Sequence, residues 1–465
     1  MEWDVIVVGA GAAGLSAAIS SADAGARVIM FETESLVGGS MALSGGVFCA
    51  AGTSVQAALG IEDSPERWFR HYMDLNQWVL RTGLIRTFCV QSTATFEWLL
   101  GMGLEVPAKL SASGQQPGVF SLREGEIRRG HVPVGEGYAL TELLDKARRD
   151  RRIDVVFNTR IEQLIIEDGR TCGVVADDVE ARADAVVITT GGMARSPELL
   201  QKYFPDVRIA GDDLFVVSGP GSRGDHISLG GQADCSIVGQ GWGMMLACAY
   251  FQGLHHTRAG HPPLSRLLVD GSGRRFANED ATYTPMFNLL KQAGGSAWMI
   301  FDEAGRLGLD PTYASWTPDN VLAEVAAGRT FRGDDARELA AQIGVAPSAL
   351  AATLDRWNAT LPVGTDPDFG RDETLAALAC GSPEPMSKPP FYAVRVLPAQ
   401  LIQTHAGLEI DQHAQVIDNV GRPVPGLYAA GEAGGGVLGP HYVGATALAN
   451  ALTMGRIAGA SAAAR

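Results

Sequence analysis

The sequence predicts an α/β fold in which a domain built around a parallel sheet is interrupted by a second, inserted domain. Two patterns along the 465 residues lead to this expectation. The first 40 residues read as strand, tight turn, helix and strand, which is one βαβ unit. Between residues 241 and 385 the sequence changes to segments rich in Met, His, Pro and Asn, without further buried parallel strands. We therefore expect a Rossmann-like domain over residues 1–240 and 386–465, and an inserted α+β domain over residues 241–385.

The opening strand and turn carry the strongest local signal. Val5–Val8 is a continuous apolar run, as in a parallel strand that is buried on both faces. Gly9, Gly11 and Gly14 follow it directly and lead into an Ala-rich helical segment. Glycines at this spacing permit a tight turn, close approach of the backbone to a pyrophosphate, and close packing of helix on strand. The alternative is a purely structural glycine-rich turn.

An acidic residue at the end of the next strand completes the pattern. Arg27–Phe31 reads as the second strand, and Glu32 follows it, where a carboxylate accepts the hydroxyls of a ribose. This context favours a dinucleotide site over a structural turn. The spacing alone does not distinguish FAD from NAD.

Later elements are predicted from the same kinds of periodicity. Pro65–Phe96, Asp335–Asn358 and Thr446–Ala463 read as helical segments. Ala185–Thr189 and Phe391–Val396 read as strands. The first domain is thus expected to be completed by the C-terminal part of the chain.

Composition and charge exclude several classes of protein. The chain has 37 Lys and Arg against 52 Asp and Glu, and the net charge of −15 would repel nucleic-acid phosphates and anionic lipids. The six cysteines form no C-x-x-C pair and no metal-ligand spacing, so we expect reduced thiols, no metal site and a cytoplasmic protein. Glu2 and Asp4 are unlike a signal peptide, and the uncharged run Val5–Ala22 carries the glycine spacing. We therefore expect neither secretion nor stable membrane insertion.

Four further segments bear on the cofactor. Gly38–Ser40 and Ser44–Gly46 follow Glu32, Thr189–Gly192 ends another strand, and Gly426–Glu432 lies near the C-terminus. In these segments the chain resembles the flavoprotein superfamily of soluble fumarate reductases, succinate dehydrogenase flavoprotein subunits and 3-ketosteroid dehydrogenases. The resemblance covers most of the chain, strongly at both ends and loosely through the insert. It implies FAD as the cofactor, and no second glycine fingerprint indicates a separate nicotinamide site.

The resemblance also implies the fold subtype and the residues around the cofactor. It implies an FAD-binding domain of the glutathione-reductase type, with the inserted domain as a cap that contributes to the substrate site. In the family, the Gly-Glu pair contacts the sugar-like chain of the flavin, and the next helix directs amides at the isoalloxazine C2 carbonyl. The residues implied to hold FAD are Gly9, Gly11, Ala13, Gly14, Glu32, Gly39, Ser40, Ser44, Gly45, Gly46, Thr190, Gly191, Gly431, Glu432, Ala447 and Leu448. Residues 38–46 lack the histidine that attaches the flavin in some members, so the FAD is expected to be non-covalent.

Two tyrosines stand where the resemblance places the reacting groups. Tyr283 takes the position of the proton-donating arginine of fumarate reductases, and the 3-ketosteroid Δ1-dehydrogenases have a tyrosine base there. Tyr442 replaces a carboxylate-clamping arginine, and in the steroid enzymes a tyrosine at this position holds the substrate carbonyl. An amide four residues later, here that of Thr446, shares this role; the steroid enzymes have glycine there, so only the amide carries over. Gln403 matches a substrate-binding histidine of fumarate reductases. These replacements disfavour fumarate as the substrate, because they remove positive charge that would bind a dianion.

These matches resemble most closely the 3-ketosteroid Δ1-dehydrogenase-like branch. The implied reaction introduces a C=C bond next to the carbonyl of a cyclic ketone, either a 3-ketosteroid or a smaller cyclohexanone-type ring. Tyr283 removes the proton beside the carbonyl, Tyr442 and the Thr446 amide hold the carbonyl oxygen, and the β-hydride goes to flavin N5. The electron acceptor is expected to be quinone-like or a dye. No residue is assigned to assist Tyr283.

Two alternatives remain at this point. One is an ene-reductase of the fumarate-reductase type, and the other is a flavin-carrying subunit of an electron-transfer complex. A tyrosine in a loop or near a helix start is usually a packing residue, so the paired match favours catalysis more than either residue alone. Asn278–Glu279 is expected to order the loop before Tyr283. Arg258 and Arg266 could clamp a substrate carboxylate, although we expect both at the surface.

Overall fold

The chain forms two compact units. The computed structural model describes residues 2–111, 116–121, 127–177, 179–281, 283–361, 365–378 and 382–464. The first unit contains Met1–Asp206, Ser218–Met244 and Ile402–Arg465, and the second contains Val207–Val217 and Met245–Leu401. Residues 386–401, which the sequence analysis assigned to the first domain, lie in the second unit because their strand pairs with other strands there. The functions of the two units stay predictions.

The secondary structure alternates between helices and strands through much of the chain. The strands are β1 (Trp3–Val8), β2 (Val28–Phe31), β3 (Phe48–Cys49), β4 (Gly118–Phe120), β5 (Gly130–Val132), β6 (Asp154–Val156), β7 (Gln163–Glu167), β8 (Arg170–Ala176), β9 (Val179–Ile188), β10 (Phe215–Val216), β11 (Ile237–Val238), β12 (Gly243–Ala249), β13 (Leu267–Val269), β14 (Ala297–Asp302), β15 (Phe331–Gly333), β16 (Phe391–Thr404), β17 (Gly407–Glu409), β18 (Gln415–Ile417), β19 (Pro423–Ala429) and β20 (Gly434–Gly435). The helices are α1 (Ala12–Asp23), α2 (Gly39–Ala42), α3 (Ser54–Ala58), α4 (Pro65–Leu75), α5 (Thr82–Gly101), α6 (Glu136–Asp150), α7 (Pro197–Tyr203), α8 (Asp225–Gln232), α9 (His256–Ala259), α10 (Tyr283–Gln292), α11 (Glu303–Leu307), α12 (Pro318–Ala326), α13 (Ala336–Ile343), α14 (Pro347–Thr360), α15 (Arg371–Leu378) and α16 (Thr446–Ala463). Short 3₁₀ helices cover Pro205–Asp213 and Gly431–Ala433.

A mostly parallel sheet forms the centre of the first unit. Its strands follow the order β18-β19-β9-β1-β2-β6, and β8 and β7 extend it through β9. The five strands from β19 to β6 in this order pair in parallel, and β18 is antiparallel at the edge. Val5, Ile6 and Val7 are fully buried in the central strand, which confirms the interpretation of the opening apolar run. The chain therefore has the mixed α/β fold expected of an FAD-binding domain.

Helices α1 and α16 pack closely beside this sheet. Gly455 and Gly459 lie one helical turn apart on α16 and face α1. A Cβ atom at Gly455 would overlap Ser16 Oγ, and one at Gly459 would overlap the Ala17 carbonyl oxygen. Ser21 Oγ donates to the Gly459 carbonyl at 2.9 Å, which adds a direct bond between the helices. The first and last helices of this unit are thus held at backbone contact.

The second unit is built on a different kind of sheet. Strand β16 pairs antiparallel with β14 and β15, and β14 pairs antiparallel with β13. One apolar core includes Trp316, Phe301 and Tyr392, and another includes Trp357 and Ile300. Its α+β character agrees with the change of pattern in the sequence.

The described part of the chain also bears on the cysteines, on metal ligands and on membrane-spanning helices. Cys49, Cys89, Cys172, Cys235 and Cys248 are buried free thiols, whereas Cys380 lies outside the described residues. No group of three or more potential metal ligands occurs among the described residues. Within the same residues, no helix combines the length and apolar composition needed to cross a bilayer.

The helix contact at Gly459 predicts a loss of stability when a single methyl group is added. Gly459→Ala should lower the free energy of unfolding by about 1–3 kcal/mol, because the new Cβ meets backbone that has little room to move. Chemical denaturation followed by circular dichroism measures the change. Gly83→Ala is the matched control: Gly83 lies in α5 with nothing within 4 Å of an added Cβ. That control should be neutral or stabilising by about 0.5–1 kcal/mol, and equal losses in both variants would contradict the proposed contact.

Candidate active site

The glycine turn after β1 shows which glycines serve the fold and which serve a ligand. Gly9 has a φ of +102°, and a Cβ there would lie 2.5 Å from the Thr189 carbonyl oxygen. A Cβ at Gly14 would overlap the Gly9 carbonyl oxygen. Gly11 differs, since its φ of −77° suits any residue and a Cβ there would have only the Gly38 oxygen at 4.0 Å. The open space at Gly11 lies at the uncapped N-terminus of α1, where an anionic group is stabilised.

Glu32 lies beside this turn as the sequence predicts. Its Oε2 atom accepts the Ala10 N–H at 2.7 Å, and its Oε1 atom accepts the Glu34 N–H at 2.9 Å. The side chain is 9 % exposed, so a partly buried carboxylate is held against the glycine turn. This arrangement suits the binding of ribose hydroxyls.

The predicted residues at 39–46 divide into two groups. A Cβ at Gly39 would come 3.5 Å from the Gly11 Cα, so Gly39 borders the same space. Ser40 Oγ accepts the Gly219 N–H at 2.9 Å, which links this segment to the Ser218–Ser222 turn. Ser44 and Gly46 are bonded to each other through Ser44 Oγ, and a Cβ at Gly46 would crowd the Glu136 backbone at 2.5 Å. Gly45 lies between these two in the same bend. Packing within the protein thus explains Ser44 and Gly46 without a ligand.

Thr190 supplies an unsatisfied group near the glycine turn. Its Oγ1 atom is buried and has no hydrogen-bond partner in the described protein. A Cβ at Gly9 would lie 3.2 Å from the Thr190 nitrogen, and Gly191 follows with a φ of +74°. Buried hydroxyls in native proteins normally have a partner. The open space at Gly11 and the unpaired Thr190 hydroxyl therefore fit a bound dinucleotide.

The Gly431–Glu432 pair is close to the turn through α1. Gly431 has a φ of +73°, and a Cβ there would lie 3.0 Å from the Ala13 side chain. Glu432 Oε1 accepts both the Thr404 N–H at 2.7 Å and the Thr404 hydroxyl at 2.8 Å. Burial raises the pKa of Glu432 to about 7. The structure thus brings Ala13 and the C-terminal pair together.

The Tyr442 hydroxyl lies at the start of α16. It accepts the Ala447 N–H at 3.4 Å, and the ring is buried. Ala445 precedes the helix in a left-handed conformation with a φ of +62°. The Thr446 N–H, expected to hold the substrate carbonyl, instead donates to the Val443 oxygen at 3.3 Å as the turn closes. The amide that donates to the Tyr442 hydroxyl is that of Ala447, and Leu448 follows it in the first helical turn.

Helix α4 supplies two site residues that the sequence analysis missed. Asn76 is the C-cap residue directly after α4, and its Oδ1 atom accepts the His441 N–H at 3.0 Å. The Tyr72 hydroxyl donates to the Val437 oxygen at 2.8 Å, and burial raises the pKa of this phenol well above its usual range. No local motif marks either residue. The run Ser218–Ser222, with glycines on both sides of a proline, is a further missed segment that its turn composition could have indicated.

Tyr283 lies in the second unit, at the first residue of α10, and is half-buried. The preceding loop is fixed by Asn278, whose Nδ2 atom donates to the Phe369 oxygen at 3.2 Å and to Thr374 Oγ1 at 2.9 Å. Glu279 is bonded at both carboxylate oxygens to Arg275. These contacts agree with an ordered loop before the tyrosine.

The expectation that Arg266 lies at the surface is wrong. Arg266 is buried and donates to Asp280 Oδ1 at 2.7 Å and to the backbone carbonyl oxygen of Glu279 at 3.0 Å. Arg371 is fully buried on the other side of Asp280, with a distance of 2.7 Å to Oδ2. Burial is tolerated because the charges are paired and the carbonyls satisfy the remaining donors. The Arg266 guanidinium is thus already bonded within this buried network. Arg258 is exposed, as expected.

Comparison with known proteins identifies the family. The sequence matches the family described as FAD binding domain over residues 4–447. The chain belongs to this family. It is therefore an FAD-dependent oxidoreductase, and FAD is its cofactor.

Similar proteins include enzymes of opposite reaction direction. The fumarate reductase (cytochrome) of Shewanella frigidimarina is 31 % identical, over 99 % of this chain and 77 % of that protein. The 4-oxocyclohexanecarboxylate 2-dehydrogenase of Sinomonas cyclohexanicum is 26 % identical, over 98 % of this chain and 92 % of that protein. The crystal structure of the 3-ketosteroid-Δ4-(5α)-dehydrogenase of Rhodococcus jostii RHA1 in complex with 4-androstene-3,17-dione has a TM-score of 0.82 at 26 % identity, covering 100 % of this chain and 97 % of that one.

The open space at Gly11 predicts a variant that folds without its cofactor. Gly11→Val should leave folding of the flavin-free protein intact, since an added Cβ would have only the Gly38 oxygen near it, at 4.0 Å. The purified variant should carry no flavin, because valine occupies the space at the start of α1. Flavin absorbance and thermal unfolding of the flavin-free proteins measure the two effects. Normal flavin content in Gly11→Val would show that the cofactor lies elsewhere.

The raised pKa of Glu432 predicts a pH dependence of stability in the flavin-free protein. The folded state holds the proton more tightly than the unfolded chain, whose pKa is near 4.5. The resulting stabilisation is complete below pH 4.5 and is lost as the pH rises through 7. Its full size is about 3 kcal/mol. Urea denaturation across this range should show wild type losing stability relative to Glu432→Gln, and parallel curves would contradict the assignment.

Proposed function

We propose that this FAD-dependent oxidoreductase acts on a CH–CH bond and introduces a double bond next to the carbonyl of a cyclic ketone. The observation that carries the proposal is the Tyr442 hydroxyl at the start of α16, where it accepts the Ala447 N–H. A phenol held in this way orients its own hydrogen toward an acceptor other than the helix. The positive end of α16 lies beside it and favours a developing negative charge.

The residues around Tyr442 would hold the substrate carbonyl. A ketone acidifies only the carbon atoms next to it, so loss of that proton places negative charge on the carbonyl oxygen. The Tyr442 hydroxyl and an amide at the start of α16 would stabilise this charge as an oxyanion hole does. The Thr446 amide is the predicted donor, and the Ala447 amide is the one bonded to the hydroxyl. Bound FAD supplies the acceptor for the hydride that leaves the neighbouring carbon.

Tyr283 would take the proton from the carbon beside the carbonyl. It stands at the first turn of α10 behind a loop that is fixed by buried ion pairs. An unperturbed tyrosine has a pKa near 10, so a neighbouring group has to assist it at neutral pH. The second unit carries this residue and also the exposed Arg258, which would be a candidate contact for a substrate carboxylate.

The relatives support this reaction and also favour one competitor. The 4-oxocyclohexanecarboxylate dehydrogenase and the ketosteroid dehydrogenase are named for ketone substrates. The fumarate reductase at 31 % identity favours an ene-reductase instead. Tyr283 stands at the position of the proton-donating arginine of fumarate reductases, and Tyr442 at that of a carboxylate-clamping arginine; both replacements argue for the ketone. We propose further that FAD is held without a covalent bond, and that a quinone-like compound accepts the electrons.

The two tyrosines predict distinct defects in a flavin-bleaching assay. Under nitrogen, 3-ketosteroids, cyclohexanones or 4-oxocyclohexanecarboxylate should bleach the oxidised flavin of the wild-type enzyme. Tyr442→Phe should slow bleaching about 100-fold, as expected for loss of an oxyanion donor, and should weaken ketone binding. Tyr283→Phe should lose most bleaching while it still binds FAD and ketone. Stopped-flow absorbance at several ketone concentrations separates binding from rate.

Tyr138→Phe is the matched control, because Tyr138 is an exposed tyrosine of α6. It should behave as wild type. Unchanged bleaching in Tyr283→Phe removes this residue as the base. If no ketone bleaches the flavin, while fumarate or an enone reoxidises reduced enzyme, the chain is an ene-reductase.

A further inference from the structure

The turn that carries Tyr442 is held from outside by two buried side chains. The Gly439 carbonyl accepts a hydrogen bond from His405 Nδ1 at 2.9 Å. Asn76 Oδ1 accepts the His441 N–H at 3.0 Å, and a Cβ at Gly439 would overlap this oxygen. Both contacts precede Tyr442 by at most three residues. The position of the turn therefore depends on groups far away in the sequence.

The hydrogen bonds of His405 fix its tautomer. The ring is completely buried, and burial lowers its pKa to about 4, so it is neutral at neutral pH. A neutral imidazole has one N–H donor and one acceptor nitrogen. Nδ1 faces the Gly439 carbonyl, which can only accept, so Nδ1 carries the hydrogen. Nε2 is therefore the acceptor.

This tautomer determines the orientation of the Gln403 amide. Gln403 Nε2 lies 3.1 Å from His405 Nε2, and only the amide N–H can satisfy a nitrogen acceptor. The amide oxygen of Gln403 is then the group left for another partner. Among the described residues, no donor is bonded to that oxygen. Gln403 is 5 % exposed, and the His405 ring between it and Tyr442 has its centroid 6.1 Å from the Tyr442 ring.

We propose that His405 sets substrate specificity by holding Gln403 as a hydrogen-bond acceptor one side chain away from Tyr442. The substrate is then a cyclic ketone that carries a donor, such as a hydroxyl group, on the part of the ring that reaches Gln403. A carboxylate or a second ketone at that point would face the amide oxygen and lose its hydration without a partner. The proposal rests on the proposed function. It adds a second substrate contact, in which Gln403 is the acceptor and the substrate is the donor.

A matched pair of ketones tests the contact. The same cyclic ketone, with a hydroxyl or with a methyl group at the tested position, is compared by the rate and half-saturation of anaerobic flavin bleaching. Wild type should prefer the hydroxyl compound about tenfold, as expected for one hydrogen bond to the Gln403 amide oxygen. Gln403→Met keeps the length of the side chain and should bring the ratio close to one. Gln415→Met, in β18 of the same unit, should leave the ratio as in wild type.

The tautomer of His405 provides a readout that a purely structural role would not change. ¹⁵N-histidine NMR, assigned with His405→Gln, should show a protonated Nδ1 and an unprotonated Nε2 in the holoenzyme. Gln403→Met should shift only the Nε2 signal. An Nε2-protonated ring or an imidazolium at neutral pH overturns the proposal.

The outcomes separate this inference from the proposed function. If ketones bleach the flavin but the ratio stays the same in Gln403→Met, the inference fails alone. If no ketone bleaches the flavin, the proposed function fails. In that case the dissociation constants of the matched pair, from the perturbed flavin spectrum, still decide the role of Gln403. Equal constants in wild type would overturn it.

Discussion

The close approach of α1 and α16 is the constraint on which the rest of the first unit depends. Gly455 and Gly459 allow the two helices to meet at backbone distance, and Gly431 fits beside Ala13 in the same way. Because α16 begins at Thr446, fixing its axis against α1 also fixes its first turn relative to the glycine turn after β1. Residues from opposite ends of the chain can therefore contribute to one cofactor site. Added bulk along this contact would move the start of α16 away from the glycine turn.

Local signals made the core of this unit predictable. The strands β1 and β2 and the last helix, Thr446–Ala463, agree with the sequence analysis because their patterns encode backbone requirements directly. An apolar run needs burial, and a glycine with a left-handed φ needs no side chain. Gly9 is of this kind, with a φ of +102°, whereas Gly14 lies in α1, where a Cβ would overlap the Gly9 carbonyl oxygen. Gly11 is different, because no packing within the protein requires a glycine there and a bound ligand would use the space beside it.

Contacts between distant segments were not predictable from such patterns. Pro65–Phe96 reads as one helical segment, but α4 ends at Leu75 and α5 begins at Thr82. Because the helix ends there, the Asn76 side chain can accept a hydrogen bond from the turn before Tyr442. From the sequence Arg266 is expected at the surface, because no local pattern predicts its buried ion pair with Asp280. Arg371 binds the same carboxylate and is also distant in sequence. Burial of a charge depends on where its partners lie in space, which one sequence does not reveal.

The Tyr442 end of the site is built from groups that are neutral at neutral pH. Burial raises the pKa of Tyr72 well above its usual range and lowers that of His405 to about 4, so neither carries a charge. Asn76 and Gln403 are amides and add none. An anion placed among these groups would lose its hydration and gain no opposite charge, at a cost that hydrogen bonds alone offset poorly. A neutral carbonyl loses much less, and in the proposed reaction the negative charge that develops on it would be met by the Tyr442 hydroxyl and the start of α16. The electrostatics of this end are therefore consistent with the proposed ketone, which would arrive uncharged and become charged only as it reacts.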